Sequence, residues 1–345
     1  MTNRLSPKIV FTGWGQRVQE LIWNDNSRDA AERLGFNVEI LSPRENAPST
    51  DEWRHILKDA EAILTTWGSP RIDEQVLAEN KVLKFVGHAA GSVAGVASDY
   101  LYEHGIPLCS ANEEMAAQVA RGCLMMTMFG LNGFLYKAQF GSGNRMNWDN
   151  SKTGLGIRNA VIGIWGFGDI SKRYLEYLRP FDPKEVLICS RSLGADKAAA
   201  LGMRKVELEE LFATADLVQV LQGLTPQTAR MVGSEHLSSM KDGAILMNAG
   251  RANLIQEEAL YAELKRNRIQ AILDVYYEEP LPEDSPLVGL PNVVLTPHCI
   301  GWDGPVFYAV NMMEELDRLL RGEPLQFQVS RERANLMTDE RLRKG

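Results

Sequence analysis

The feature that most narrows the possible folds is an alternation of period. Along most of the chain, short apolar runs that stop at turn residues are separated by longer stretches with helical spacing. Such alternation builds parallel βαβ units, because parallel neighbours need a crossover long enough to hold a helix. In the first third the runs are KIVFTG, NVEIL, AILTT, LKFVGH and IPLCS, with helix-like stretches such as RIDEQVLAEN between them. Further on they are AVIGIWG, EVLICS, LVQVLQ, AILMNA, QAILDV and NVVLTP, apolar enough to be strands covered on both faces. The expectation is an α/β protein of two Rossmann-like or flavodoxin-like domains, with a doubly wound parallel sheet in the second and a cleft between them.

Length fits two domains, since 345 residues exceed what one core usually organises. A long helix-like segment, Glu113 to Phe140, and the polar stretch GSGNRMNWDNSKTG read as the bridge into the second domain. The most lipid-like part, Gly122 to Leu135, is too short to span a bilayer and contains Asn132, so it reads as a buried helix. From about Gly304 an amphipathic helix, PVFYAVNMMEELDRLLRG, precedes a charge-rich tail expected to be solvated and partly frayed.

A formal charge of -8 leaves no overall basic field for a nucleic-acid backbone, and a small metabolite is the expected partner. Cys109, Cys123, Cys189 and Cys299 never form a C-x-x-C pair, and small buried thiols are expected rather than a metal site. The start, MTNRLSPKIVFTG, lacks the apolar core of a signal peptide, so a cytoplasmic, non-membrane protein is expected.

Open parallel sheets place ligands beyond the carboxyl ends of their strands. Directly after AVIGIW comes Gly166-Phe167-Gly168-Asp169-Ile170-Ser171, opening the helix-like KRYLEYL. A tight glycine turn followed by a helix start suits the pyrophosphate of a dinucleotide, although Ser171 stands where a third glycine is usual. The next strand ends at Ser190-Arg191-Ser192, without the acid that NAD-selective sites normally use, so NADP is preferred over NAD. Arg251 follows AILMNA, Glu279 lies shortly past QAILDV, and His298 follows NVVLTP, so all three leave one sheet edge. Singly, each reads more readily as a solvated or loop residue. Three such residues leaving the edge that carries the glycine loop are a candidate catalytic set.

The segments LKFVGHAAGSV, GIPLCSAN, the glycine loop, DLVQVLQGLTPQT, SMKDGAILMNAGRANLIQEEAL, AILDVYYEEPLPEDSPL and VVLTPHCIGW resemble the D-isomer-specific 2-hydroxyacid dehydrogenases over nearly the whole chain. The resemblance implies a discontinuous substrate domain (1–112 and 303–345) around an NAD(P)-binding domain (113–302), and a homodimer through the latter. It implies a hydride transfer between nicotinamide and a small 2-oxoacid or D-2-hydroxyacid, of the glyoxylate or hydroxypyruvate reductase kind. The resemblance implies the roles of the candidate set: acid/base for His298, its carboxylate partner for Glu279 and substrate binding for Arg251. By the same resemblance Ala249, Gly250, Asp274 and Gly301 join the cofactor residues, and Ala90, Gly91 and Ser92, leading to Val93, hold the substrate carboxylate with Arg251. Ala252 and Gly223 depart from the family pattern, and Arg121 stands where it often has an acid. His88 and Trp67 lie near the substrate loop as packing residues or selectors of the substrate side chain. The competing expectation is a silent NAD(P)-sensing or protein-binding module on the same fold.

Overall fold

The computed structural model describes residues 7–137, 154–301, 303–339 and 342; residues 141–153 of the expected bridge and the end of the helix expected to reach Phe140 lie outside them. The chain divides into two compact units, Met1–Met115 with Asp303–Arg341, and Ala116–Trp302 with Leu342–Gly345. The first break falls inside the helix Asn112–Leu131, which starts at the end of the first unit's last strand and runs on into the second.

In the first unit the strands are β1 (Ile9–Phe11), β2 (Val38–Ile40), β3 (Ala62–Thr65), β4 (Phe85–His88) and β5 (Leu108–Ser110). They pair in parallel in the order β2-β1-β3-β4-β5, the flavodoxin-like arrangement. Alternate residues point to opposite faces. Ile9, Phe11, Leu64 and Phe85 pack with the helix Tyr308–Arg321, and Val10, Ile63 and Val86 pack with Trp53 and Leu101. The tail departs from the expectation of a frayed end. Gln328 bridges Cys109 in antiparallel fashion, the Val329 amide donates to Leu108 O at 2.8 Å, and Ser330 caps the short helix Arg331–Ala334. The apolar residues among its charges explain this, since Val329 and Ala334 are buried.

The second unit holds β6 (Val161–Trp165), β7 (Glu185–Cys189), β8 (Arg204–Lys205), β9 (Leu217–Val220), β10 (Ile245–Asn248), β11 (Gln270–Leu273) and β12 (Val293–Leu295). Their parallel order is β12-β11-β10-β9-β6-β7-β8, a doubly wound sheet with one more edge strand than the apolar runs predict. That strand, β8, is two residues long and polar, so no hydrophobic pattern marks it. Both faces are covered. Trp165, Leu187, Val218 and Leu246 lie in one apolar cluster, and Ile164, Ile188, Leu217 and Met247 in another.

The helix Asn112–Leu131 is less buried than its composition suggests. Ala120, Cys123 and Leu131 are covered, but Met125 is 55% exposed and Met128 36% exposed. No helix among the described residues is long and apolar enough to cross a membrane.

Candidate active site

One row of paired residues marks where the strands of the second sheet stop. Cys189, Trp165, Val220, Asn248, Leu273 and Leu295 are successive partners across β7, β6, β9, β10, β11 and β12. The next residue on each strand is Ser190, Gly166, Leu221, Ala249, Asp274 and Thr296. The strand order reverses at β6, with β7 on one side and β9 on the other, and the edge at that reversal is where open α/β sheets bind ligands.

After β6 the chain turns at Gly166, whose φ of +100° is closed to most side chains. A Cβ there would lie 2.7 Å from the backbone of Gln222, so the glycine also lets this turn rest on the loop after β9. Gly168 is extended and is the N-cap of the ten-residue helix Asp169–Leu178. No side chain caps that helix, and nothing lies within 4 Å of the place a Gly168 Cβ would occupy. A helix start with that much room beside its first turn can accept the phosphates of a dinucleotide. Ser171, in place of the third glycine, is buried and donates from Oγ to Gly166 O at 2.8 Å, bracing the turn from within.

Beyond β7, Ser190 is buried and its hydroxyl accepts from the Ser192 amide at 3.3 Å, closing a small turn. Arg191 at its tip is exposed, with no side-chain hydrogen bond or ion pair among the described residues. A guanidinium at this strand end suits a 2'-phosphate.

At the other end of the row, His298 Nδ1 lies 2.8 Å from Glu279 Oε2, and Glu279 Oε1 accepts from the Tyr276 amide at 3.0 Å. The carboxylate is therefore held on one side by backbone while it orients the imidazole on the other. The histidine side chain remains 38% exposed against 18% for the glutamate, so the ring can still reach a ligand. His298 is left-handed, with φ +52°, and its amide bonds back across Pro297 to Thr296 O at 2.9 Å. A left-handed non-glycine residue is strained and persists only where its surroundings hold it.

Asp274 is one of the groups that hold it. Its Oδ1 accepts from Thr296 Oγ1 at 2.6 Å, the Cys299 amide at 2.9 Å and the Ile300 amide at 3.1 Å, pinning the chain on both sides of His298. Burial pushes the Asp274 carboxyl upward, while the hydrogen bonds from Thr296, Cys299 and Ile300 favour its charge. Gly301 completes the anchorage: at φ +69° a Cβ would stand 2.0 Å from Gln118 O, so its backbone lies directly on the helix Asn112–Leu131. Gly122 on that helix has the reciprocal constraint, its Cβ position being 2.3 Å from the Gly301 nitrogen. Between the two anchors Cys299 is exposed, unlike buried Cys109 and Cys123, so burial does not extend to all four thiols.

Past β10, buried Asn248 shapes the turn that carries Arg251. Its Oδ1 accepts from the Gly250 amide at 3.0 Å, and its Nδ2 donates to Arg251 O at 3.1 Å. Arg251 itself donates from Nη1 to Gly250 O at 2.6 Å. Gly250 is packed near the β9 loop, with a Cβ position 3.3 Å from Gln222 O.

In the first unit, the loop after β4 has an unusual division of hydrogen bonds. Ala89 O accepts from Thr66 Oγ1, and Val93 O from the Val96 and Ala97 amides. Ala90 O and Gly91 O share the Ser110 hydroxyl at 3.1 and 2.6 Å. The amides of Ala90, Gly91, Ser92 and Val93 meet no acceptor among the described residues. Donors left over on a loop whose acceptors are consumed suit an anion such as a carboxylate. His88 is buried beneath this loop, and burial pulls its pKa down to about 4. Trp67, 37% exposed, meets Tyr308 edge to face at 6.3 Å between centroids.

Thr296, Asn248 and Ser110 are supports that the sequence reading missed. Each is a common polar residue whose partner depends on strand register, so position beside the end of a strand was the only signal available.

A family model described as the D-isomer specific 2-hydroxyacid dehydrogenase, NAD binding domain, matches residues 125–299. A D-3-phosphoglycerate dehydrogenase of Methanocaldococcus jannaschii is 29% identical over 282 residues, 77% of this chain and 51% of that protein. A glyoxylate/hydroxypyruvate reductase B of Yersinia enterocolitica is 39% identical over 146 residues, 42% of this chain and 45% of that one. The match thus spans about half the length of these curated relatives. The crystal structure of a Thermus thermophilus protein aligns with a TM-score of 0.72 at 26% identity, covering 94% of this chain and 100% of that one. With more than half of its length matched by the family model, the chain belongs to the D-isomer specific 2-hydroxyacid dehydrogenase family.

Proposed function

We propose that this protein is a nicotinamide-dependent reductase of small 2-oxoacids, of the glyoxylate or hydroxypyruvate type, producing D-2-hydroxyacids. The observation that carries the reading is the His298–Glu279 pair at 2.8 Å, on the sheet edge that also carries the glycine turn. A bound reduced nicotinamide dinucleotide supplies the hydride. His298 gives the carbonyl oxygen its proton, which an imidazolium can do near neutral pH. Glu279 orients that ring and balances its charge. Arg251, always cationic and forked, grips the substrate carboxylate and stabilises charge developing on the carbonyl oxygen. In the first unit, the amides of Ala90, Gly91, Ser92 and Val93 are donors of the kind that hold a carboxylate.

Gly166, Phe167, Gly168, Asp169 and Ile170 cradle the dinucleotide phosphates in this reading. Ala249, Gly250, Asp274 and Gly301 line the nicotinamide side. Exposed Arg191, with Ser190 and Ser192, favours NADP over NAD. A second copy of the chain is the proposed partner, supported by the exposed Met125, Met128 and Phe134 on and just after the helix Asn112–Leu131. A cytoplasmic location, supported by four unbridged cysteines, belongs to the same reading.

Following NADPH and NADH oxidation with a panel of 2-oxoacids tests the proposal. Turnover of glyoxylate or hydroxypyruvate with a preference for NADPH is expected. Tight NADPH binding without turnover of any 2-oxoacid would favour the silent sensor instead.

A further inference from the structure

The loop Ala90–Val93 owes its arrangement to side chains behind it, and two of these have no role in the chemistry above. His88, at the end of β4, is 4% exposed. Its Nδ1 lies 2.9 Å from Thr65 Oγ1 at the end of β3, and the ring makes a backbone hydrogen bond with Ser92. That bond favours the protonated ring, so a ring N–H donates to the Ser92 carbonyl. With Nδ1 toward Thr65, whose hydroxyl also lies 3.4 Å from Gly87 O, the neutral ring has Nε2 left to offer a proton to Ser92. Ser110, at the end of β5, is 2% exposed. Its one hydroxyl proton is shared between Ala90 O and Gly91 O, and its oxygen accepts from the Asn112 amide at 3.1 Å. With Thr66 on Ala89 O and the Val96 and Ala97 amides on Val93 O, every carbonyl from Ala89 to Val93 is engaged. The four amides from Ala90 to Val93 are left with none of these acceptors.

We propose that His88 and Ser110 are positioning residues that fix the carbonyls of this loop and thereby present its amides to the carboxylate of the 2-oxoacid. The proposal rests on reading the chain as a 2-oxoacid reductase. A buried, neutral imidazole suits the task because it supplies one donor and one acceptor on opposite sides of a rigid ring. Removing either brace leaves a buried carbonyl without its donor, so the loop turns to recover one and the amides lose their common direction. Neither residue touches the hydride or the proton, so substrate affinity changes and the chemical step does not.

The full-length protein is compared with His88→Phe, His88→Gln and Ser110→Ala. The measurements are kcat and KM for glyoxylate and hydroxypyruvate at saturating NADPH, oxamate affinity by calorimetry, and NADPH affinity by fluorescence. His88→Phe and Ser110→Ala raise KM and the oxamate Kd by roughly 5- to 100-fold. Their kcat and NADPH affinity stay within about threefold of the parent. His88→Gln, whose amide can both donate to Ser92 and accept from Thr65, restores most of the oxamate affinity. An unchanged oxamate Kd in folded His88→Phe overturns the proposal, as does a fall in kcat with KM and oxamate affinity intact. Should His88→Phe fail to fold, Ser110→Ala faces the same two criteria. A parent protein that binds oxamate but reduces no 2-oxoacid sinks the reductase reading alone, because the oxamate comparison still judges the braces. A parent protein that does not bind oxamate overturns both.

Discussion

Glu279 touches His298 through one carboxylate oxygen, at 2.8 Å from Nδ1, and the backbone of Tyr276 through the other. The pair is thus one support and one movable proton. His298→Ala is expected to lower kcat for 2-oxoacid reduction by about 10²- to 10⁴-fold while NADPH affinity is retained. Glu279→Gln keeps the Tyr276 bond but removes the charge facing the ring, so a smaller loss is expected. Steady-state rates alongside fluorescence titration with NADPH check both, and near-parental turnover by His298→Ala would remove the histidine from its proposed role.

Arg191 stands exposed just past β7, where charge-assisted hydrogen bonds to a 2'-phosphate would be lost on truncation. Arg191→Ala should raise KM for NADPH by about tenfold or more and leave KM for NADH nearly unchanged. Equal effects on the two cofactors would argue that the guanidinium does not distinguish them.

Gly35 and Gly301 share a φ of +69° but differ in the space beside them. Nothing lies within 4 Å of a Cβ at Gly35, whereas at Gly301 it would stand 2.0 Å from Gln118 O. Gly35→Ala should cost only the backbone strain, about 1 kcal/mol. Gly301→Ala should add overpacking, for a total of roughly 2–5 kcal/mol, and should also slow turnover through the His298 loop. Urea denaturation of both variants measures the difference.

His88 links stability to pH. Burial pulls its pKa from the ordinary 6.5 down to about 4, so between those values the unfolded chain binds more protons than the folded one. Stability therefore falls as pH drops through this window, and His88 accounts for a loss on the order of 2 kcal/mol between pH 7 and pH 5. His88→Gln removes the titrating group, and its unfolding free energy should fall less over the same interval. Identical pH dependence in parent and variant would show that the ring is not buried in its neutral form.

The central strands were legible because strands covered on both faces must be apolar along their length, as Val161 to Trp165 are. Strand β8 was not legible, since two polar residues at a sheet edge have no such pattern. The glycine turn, Arg251, Glu279 and His298 could be found by looking just beyond the end of each apolar run. The bracing between these segments could not: Asp274 reads only as a cofactor contact, and its hold on Thr296, Cys299 and Ile300 has no mark in the sequence. Likewise His88 resembles any loop histidine until the pairing of β3 with β4 sets it beside Thr65. Sequence patterns report burial period well, but hydrogen-bond partners distant along the chain are chosen by register.

The row that runs from Cys189 through Trp165, Val220, Asn248 and Leu273 to Leu295 separates two kinds of tolerance to change. Deleting one residue inside any of these strands inverts the faces of everything between the deletion and the strand end, exchanging one apolar cluster for the other. Adding residues beyond the row leaves the register of the ladder untouched. Changes of length are therefore compatible with both faces on one side of this line only, and there only where the loop residues are not themselves packed, as they are at Leu221, Ala249, Ile300 and Gly301.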